Sequence, residues 1–271
     1  MSNGADRGTR VVVESSAVRS EISVGRYTGY REMLDSAVLH REIPSSDVVL
    51  LIGFAESVQM IRSARGPVGG SSRNVVSALR TGVAVTRHRG LQHGIAIRLD
   101  PLCAYRLFAV PMQEISDDLV DPTAMLGRFG ALLTERLAET RSWRDRFALL
   151  DRALAARIAC GPAPDPEVSW AWRTLRNGLL AVSIADLAER VGWSRRHFER
   201  RFRHQIGLPP HTVARVLRFE RALAALADSG GTFAEVAARA GYSDHAHFAR
   251  DVRSRTGATP GQLAQQCRPQ R

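Results

Sequence analysis

The feature that most constrains this chain is an internal repeat near its C-terminal end. The segment Ser183 to Ser194 (Ser-Ile-Ala-Asp-Leu-Ala-Glu-Arg-Val-Gly-Trp-Ser) aligns without a gap on Thr232 to Ser243 (Thr-Phe-Ala-Glu-Val-Ala-Ala-Arg-Ala-Gly-Tyr-Ser), at an offset of 49. Beyond the closing serines the offset becomes 50: Phe198, Arg200, Gly207 and Pro210 pair with Phe248, Arg250, Gly257 and Pro260, so the second copy carries one inserted residue. Two copies in register require one supersecondary unit to be built twice.

Each copy reads as a short helix, a glycine turn and a second, polar helix. Ser183 and Thr232 are N-caps, and Asp186 and Glu235 three residues on complete a capping-box pattern. Ala185, Leu187, Ala188 and Val191, echoed by Ala234, Val236, Ala237 and Ala240, form an apolar face with small residues where helices approach closely. Gly192 and Gly241 end this helix with a left-handed residue, and Trp193 or Tyr242 fills the corner. Ser194 and Ser243 are then expected to cap a second helix whose outward face carries arginine and histidine. This arrangement presents a recognition helix to the DNA major groove. Between the copies, His211 to Asp228 reads as one unbroken helix of about 27 Å, a spacer that would set two such helices on successive major-groove segments.

From about Glu167 to Gln265 these motifs, with their Gly-x-x-Pro ends, resemble the AraC/XylS family of bacterial transcription regulators. In the first copy Phe198 and Phe202 are expected to point inward. The outward face holds Arg196, Glu199 and Arg200, with Arg195 near the helix start, where the resemblance places base contacts. Arginine grips guanine O6 and N7 with two hydrogen bonds, and glutamate accepts from cytosine N4. Arg201 and Arg203 read as phosphate clamps or solvated charges. In the second copy His245, His247 and Arg250 face outward, and Ala246 and Ala249 suit a thymine methyl. Asp244 and Asp251 would repel phosphate there, and Val252 replaces a phenylalanine, so this copy is expected to discriminate less between sequences. The pair His245 and His247 cannot share a metal ion, because residues two apart on a helix diverge. His88 and His93 lack a third ligand and read as turn histidines; no metal and no cofactor is expected.

Upstream, Gly161-Pro-Ala-Pro-Asp-Pro166 forbids regular helix and reads as an extended linker. The expected division is therefore residues 1–160, a linker at 161–166, and residues 167–271 carrying both motifs. Short Val- and Ile-rich segments (Ser20 to Val24, Asp47 to Phe54, Ser57 to Ile61, Val75 to Leu79, Val83 to Thr86, Gly94 to Leu99) read as strands of an antiparallel domain. Leu102 to Phe108, Asp121 to Thr140 and Ser142 to Cys160 follow as helices, with Asp121 as an N-cap before Pro122. The fold class is thus α+β: a β-rich, cupin-like N-terminal domain with trailing helices, then an all-α domain of two helix-turn-helix motifs joined by a long helix. The resemblance implies that the N-terminal domain senses a small-molecule effector of unknown identity. Tyr27, Tyr30, Arg31, Phe54 and Arg98 are candidates for its lining, but are better assigned to core and surface. The helices from Asp121 to Cys160 are the expected homodimer contact.

Charge agrees with this division. All 38 basic residues are arginine, which excludes lysine chemistry, and the net charge of +11 divides into +3 up to Asp165 and +8 beyond it. Met1 to Arg10 lacks an apolar signal core, and the longest apolar run, near Val48 to Ala55, is far below the ~20 residues that span a bilayer, so a cytoplasmic protein without membrane contact is expected. Cys103, Cys160 and Cys267 are isolated. That argues against an alkyl-transferring DNA-repair enzyme with the same DNA-binding domain, which needs clustered zinc-binding cysteines and an activated acceptor. A non-specific architectural DNA binder would show minor-groove wedges or basic tails, and neither is evident. The function expected from the resemblance is that of a sequence-specific, effector-responsive transcription regulator, more commonly an activator, with double-stranded DNA, the effector and RNA polymerase as partners.

Overall fold

A computed structural model describes residues 11–16, 25–178, 183–228 and 232–267. The expected strand Ser20 to Val24 lies outside the described residues.

The N-terminal half is an antiparallel sheet of nine strands: β1 (Val11–Ser16), β2 (Arg26–Glu42), β3 (Val48–Gly53), β4 (Val58–Ser63), β5 (Gly66–Pro67), β6 (Ser71–Ser72), β7 (Asn74–Ser77), β8 (Ala84–Leu99) and β9 (Leu119–Val120). The order is β1-β2-β8-β3-β7-β9, with β4 pairing elsewhere along β8. β2 and β8 pair from Tyr27↔Ile97 to Glu42↔Ala84 across a bulge between Leu34 and Val38. One end of β8 pairs with β3 and the other with β4, so this long ribbon curls the sheet into a half-barrel. Val83 to Thr86 and Gly94 to Leu99, expected as separate strands, are two stretches of one region, nearly all of it within β8. The polar residues between them, around Gly90 at φ 63°, carry no apolar alternation for a strand pattern to catch. β2 lacks a regular strand pattern too: Met33, Leu34, Val38 and Leu39 stand among charged residues without a two-residue period. His88 and His93 therefore sit in a strand and not in turns. Among described residues His88 packs on His40, ring centroids 4.2 Å apart, and burial pushes its imidazole down to about 4.

Three helices follow. α1 (Pro101–Phe108) starts at Asp100, whose carboxylate accepts from Leu102 N at 2.9 Å. α2 (Thr123–Glu139) is broken at Gly127, and α3 (Trp143–Ala159) is capped by Ser142. The N-cap of α2 is Pro122 and not Asp121; Asp121 lies one residue earlier and accepts from Thr123 N at 2.8 Å. One sheet face, with Tyr27, Leu50, Ile52, Ile95 and Ile97, packs on α1 and α3. A smaller cluster of Val58, Met60, Val75, Ala84 and Leu119 fills the opposite part of the half-barrel.

The C-terminal half contains α4 (Pro166–Arg176), α5 (Ile184–Arg190), α6 (Arg195–Ile206), α7 (Pro210–Asp228), α8 (Phe233–Ala240), α9 (His245–Thr256) and α10 (Pro260–Cys267). α7 is the long spacer helix expected between the repeats. Its first part shares a core with α4, α5, α6 and the N-terminal half; its later part, with Phe219, Leu223 and Leu226, packs on α8, α9 and α10.

Candidate nucleic-acid interface

Both repeats build the same start. In α5 the Ser183 hydroxyl accepts from Asp186 N at 3.0 Å while the Asp186 carboxylate accepts from Ser183 N at 3.2 Å. In α8 Thr232 and Glu235 make the same reciprocal pair at 3.3 and 2.8 Å. Each box satisfies backbone donors that the first helical turn leaves without partners. Gly192 and Gly241 follow at φ 72° and 83°, the left-handed region that a side chain resists.

The second helices are presented alike but capped differently. Ser194 accepts from His197 N at 3.3 Å and caps α6. Ser243 does not cap α9. Asp244 does, accepting from His247 N at 2.7 Å, while the Ser243 hydroxyl bonds to the Asp244 carboxylate and to His247 Nδ1. The inserted residue moves the cap by one position. The backbone hydrogen bond from His247, helped by Ser243, holds the Asp244 carboxyl below the usual carboxylate range, so a negative charge stays at the helix's positive end.

On α6, Phe198 and Phe202 are fully buried, and Arg195, Arg196, Arg200 and Arg203 are exposed. Glu199 is half-buried, its carboxylate held by Arg195 Nε at 2.9 Å; Arg200 Nη2 lies 3.1 Å from His197 Nδ1. Arg201 is not a phosphate clamp. It donates through Nε and Nη2 to the two carboxylate oxygens of Asp165 at 2.6 and 2.7 Å, and Gln205 accepts from Asp165 N at 2.9 Å, tying the proline segment to α6. The hydrogen bonds from Arg201 hold Asp165 below its ordinary range.

On α9, His245, Ala246 and Arg250 are exposed and His247 and Ala249 half-buried. Asp251 does not face outward. It is buried, accepting from Tyr242 Oη at 2.9 Å, Arg255 Nε at 3.0 Å and Arg215 Nη2 at 3.2 Å. Burial raises its carboxyl, but the Arg255 charge and these hydrogen bonds outweigh that and leave it below the usual range. Val252, in the place of Phe202, is fully buried beside Phe248. Among the described residues no group of three or more His, Cys, Asp or Glu side chains is placed to hold a metal ion.

A helix-turn-helix domain family matches residues 187–266, which covers α6 to α9 and parts of α5 and α10. An HTH-type transcriptional regulator of Staphylococcus aureus strain COL is 33% identical over 81 residues, 30% of this chain and 11% of that one. The chain thus spans about a ninth of the length of that relative. Among solved structures, apo ToxT from Vibrio cholerae shares the fold over 88% of this chain and 96% of its own at 9% identity and a TM-score of 0.50. The C-terminal domain of the response regulator AraT from Geobacillus stearothermophilus overlaps 40% of this chain and 92% of its own at 19% identity and a TM-score of 0.37. The repeat is a helix-turn-helix domain.

This domain does not stand apart from the N-terminal half. The half-buried Asp100 carboxylate accepts from Trp172 Nε1 and Arg176 Nη1, both at 2.8 Å; its partial burial keeps the carboxyl raised despite both donors. Ser46 donates through its backbone N and hydroxyl to Glu220 of α7 at 2.7 and 2.6 Å. Gly207, at φ 110°, abuts Ser116, where a Cβ would lie 1.9 Å from the hydroxyl oxygen. A cavity of about 510 Å³ between the half-barrel and α7 is lined by Arg41, Arg80 and Arg98 with Glu220 and Leu223. A second, of about 550 Å³, lies between α2 and the sheet and is bounded by Phe54, Arg73 and Asn74. Phe54 and Arg98, assigned to core and surface from the sequence, thus line cavities, whereas Tyr27 is core, stacked on Phe147. No sequence motif marks these cavities, because their walls come from segments far apart in the chain.

Proposed function

We propose that the chain is a sequence-specific DNA-binding transcription regulator that reads two successive major-groove segments with α6 and α9. The observation that carries this reading is the matched support of the two helices: two complete capping boxes and two left-handed glycines present two helices whose outward residues are arginine and histidine. Arg196 and Arg200 read guanine, Glu199 reads cytosine and Arg195 contacts the DNA from the helix start. His245, Ala246, His247 and Arg250 make the weaker contacts of the second segment, and Arg203 grips phosphate. Residues 1–160 act as the control region, taking a small-molecule effector in one of the two cavities, and 161–166 connect it to the DNA-binding part at 167–271. The regulator works in the cytoplasm as a homodimer through α2 and α3, acting on RNA polymerase as an activator. Genome-wide mapping of DNA bound by the full chain tests the architecture. A bipartite motif whose halves lie about one helical turn apart is expected; a single short motif or no sequence preference overturns it.

A further inference from the structure

We infer that the N-terminal half itself touches DNA: a groove between β4 and the end of α9 is a phosphate-binding site, occupied by the DNA backbone beside the second recognition helix. The inference rests on the DNA-binding reading above and adds residues outside the helix-turn-helix domain to the interface. The groove, about 380 Å³, is lined by Arg41, Arg62, Arg253 and Arg255 and by no carboxylate. Arg41 of β2 and Arg62 of β4 both pair with Val85 of the intervening β8, so their side chains rise in one row on one face, two strand spacings or about 10 Å apart. Arg253 approaches from the other wall.

Arg255 is buried and already bound, to Asp251 and to the Thr81 carbonyl at 3.3 Å, which pins α9 to the half-barrel. Arg41, Arg62 and Arg253 are exposed, and none belongs to an ion pair among the described residues. Three like charges brought together from distant segments repel one another unless an anion lies between them, and arginine forks match phosphate oxygens. The remaining wall is small, including Ser63, Gly82, Ser254 and Gly257, and a Cβ built at Gly257 would meet nothing within 4 Å. A bulky anion can therefore approach.

The position names the source of the phosphate. Ala246, Arg250 and Arg253 are exposed and follow one another at steps of four and three along α9, one continuous stripe. Arg253 thus ends the stripe whose earlier residues face the bases, and the groove opens where the DNA backbone flanking that segment would run.

The test measures binding of the full chain to a labelled mixed-sequence duplex by anisotropy, between about 50 and 200 mM salt. Removing one phosphate-binding arginine should lower the slope of log Kd against log salt by about 0.9. Arg62→Ala and Arg253→Ala should each produce such a drop, Arg41→Ala with Arg62→Ala a larger one, and Arg62→Lys should retain the wild-type slope. Arg203→Ala serves as a control on the helix-turn-helix domain. Thermal unfolding of the Arg62 and Arg41 variants should match wild type, since neither side chain is buried or paired. Wild-type slope in Arg62→Ala and Arg41→Ala, with a reduced slope in Arg203→Ala, overturns the groove and leaves the DNA-binding reading intact. Calorimetry with pyrophosphate separates the sources: binding abolished in Arg62→Ala, with an unaltered DNA slope, means a small-anion site and overturns the DNA assignment. A wild-type chain that retains no duplex overturns both readings.

Discussion

The two helix-turn-helix motifs share a grammar and differ in how they are anchored. Leu187, Phe198, Phe202 and Ile206 of the first lie in one apolar cluster with Leu107, Met112 and Ile115 of the N-terminal half. Val236, Ala237, Phe248 and Val252 of the second close on the later part of α7 and on Leu263, and from the N-terminal half only Ile43 packs against that cluster among the described residues. The second motif has less apolar surface to draw on and carries instead the buried Asp251 network. The paired terminal glycines show the same contrast: Gly207 is pressed against Ser116, whereas a Cβ at Gly257 would meet open space. A repeated sequence thus specifies a repeated local geometry, while the neighbours decide what each copy is fastened to.

The contrast can be broken most directly at Asp251. Replacement by alanine leaves Arg255 buried without its carboxylate and Tyr242 without its acceptor, and should cost about 3 to 5 kcal/mol in denaturant unfolding. A loss below about 1 kcal/mol would mean the network does not hold the second motif. Because the folded carboxyl lies below its unfolded value, its contribution is complete above about pH 4 and disappears as pH falls through the lower folded value. Asp251→Asn should remove that acid-side dependence, which unfolding at a series of pH values would detect. Next in size, Arg200→Ala should cost about 1 to 3 kcal/mol on the mapped site and relax base preference there, with a smaller penalty for Arg250→Ala. Equal penalties on specific and random DNA would remove the base-reading role of Arg200. Ser183→Ala and Thr232→Ala should each cost about 1 kcal/mol, alike in the two motifs because both boxes are complete and exposed. Clearly unequal values would show that the anchoring reaches back into local geometry. The smallest effect is expected for Arg201→Ala, about 0.5 to 1 kcal/mol, since its side chain is 36% exposed and solvent screens the pair with Asp165.

Local signals explain which parts were legible in the sequence. The caps, glycine turns, inward phenylalanines and spacer helix depend on residues within a few positions of one another, and each appears where its pattern places it, apart from the caps of α2 and α9. The shift of the α9 cap from Ser243 to Asp244 was written in the change of offset from 49 to 50, but both residues are good caps and spacing alone did not choose between them. The illegible parts depend on residues distant in the chain. Arg201 looks like any outward arginine until Asp165 is folded beside it, and Asp251 looks like a surface acid until Arg215 arrives from α7. In β2 the apolar residues Met33, Leu34, Val38 and Leu39 stand among charged ones without a two-residue period, and the middle of β8 is mostly polar, so alternation could not reveal them.

The Asp100 contact has a consequence for any dissection of this chain. A chain cut in the proline run would separate Trp172 and Arg176 from the carboxylate that receives both, and would strip Ile206 and Leu208 of the cover given by α1 and the turn at Met112–Glu114. Such a cut exposes an apolar face of α6 that the N-terminal half covers in the full chain.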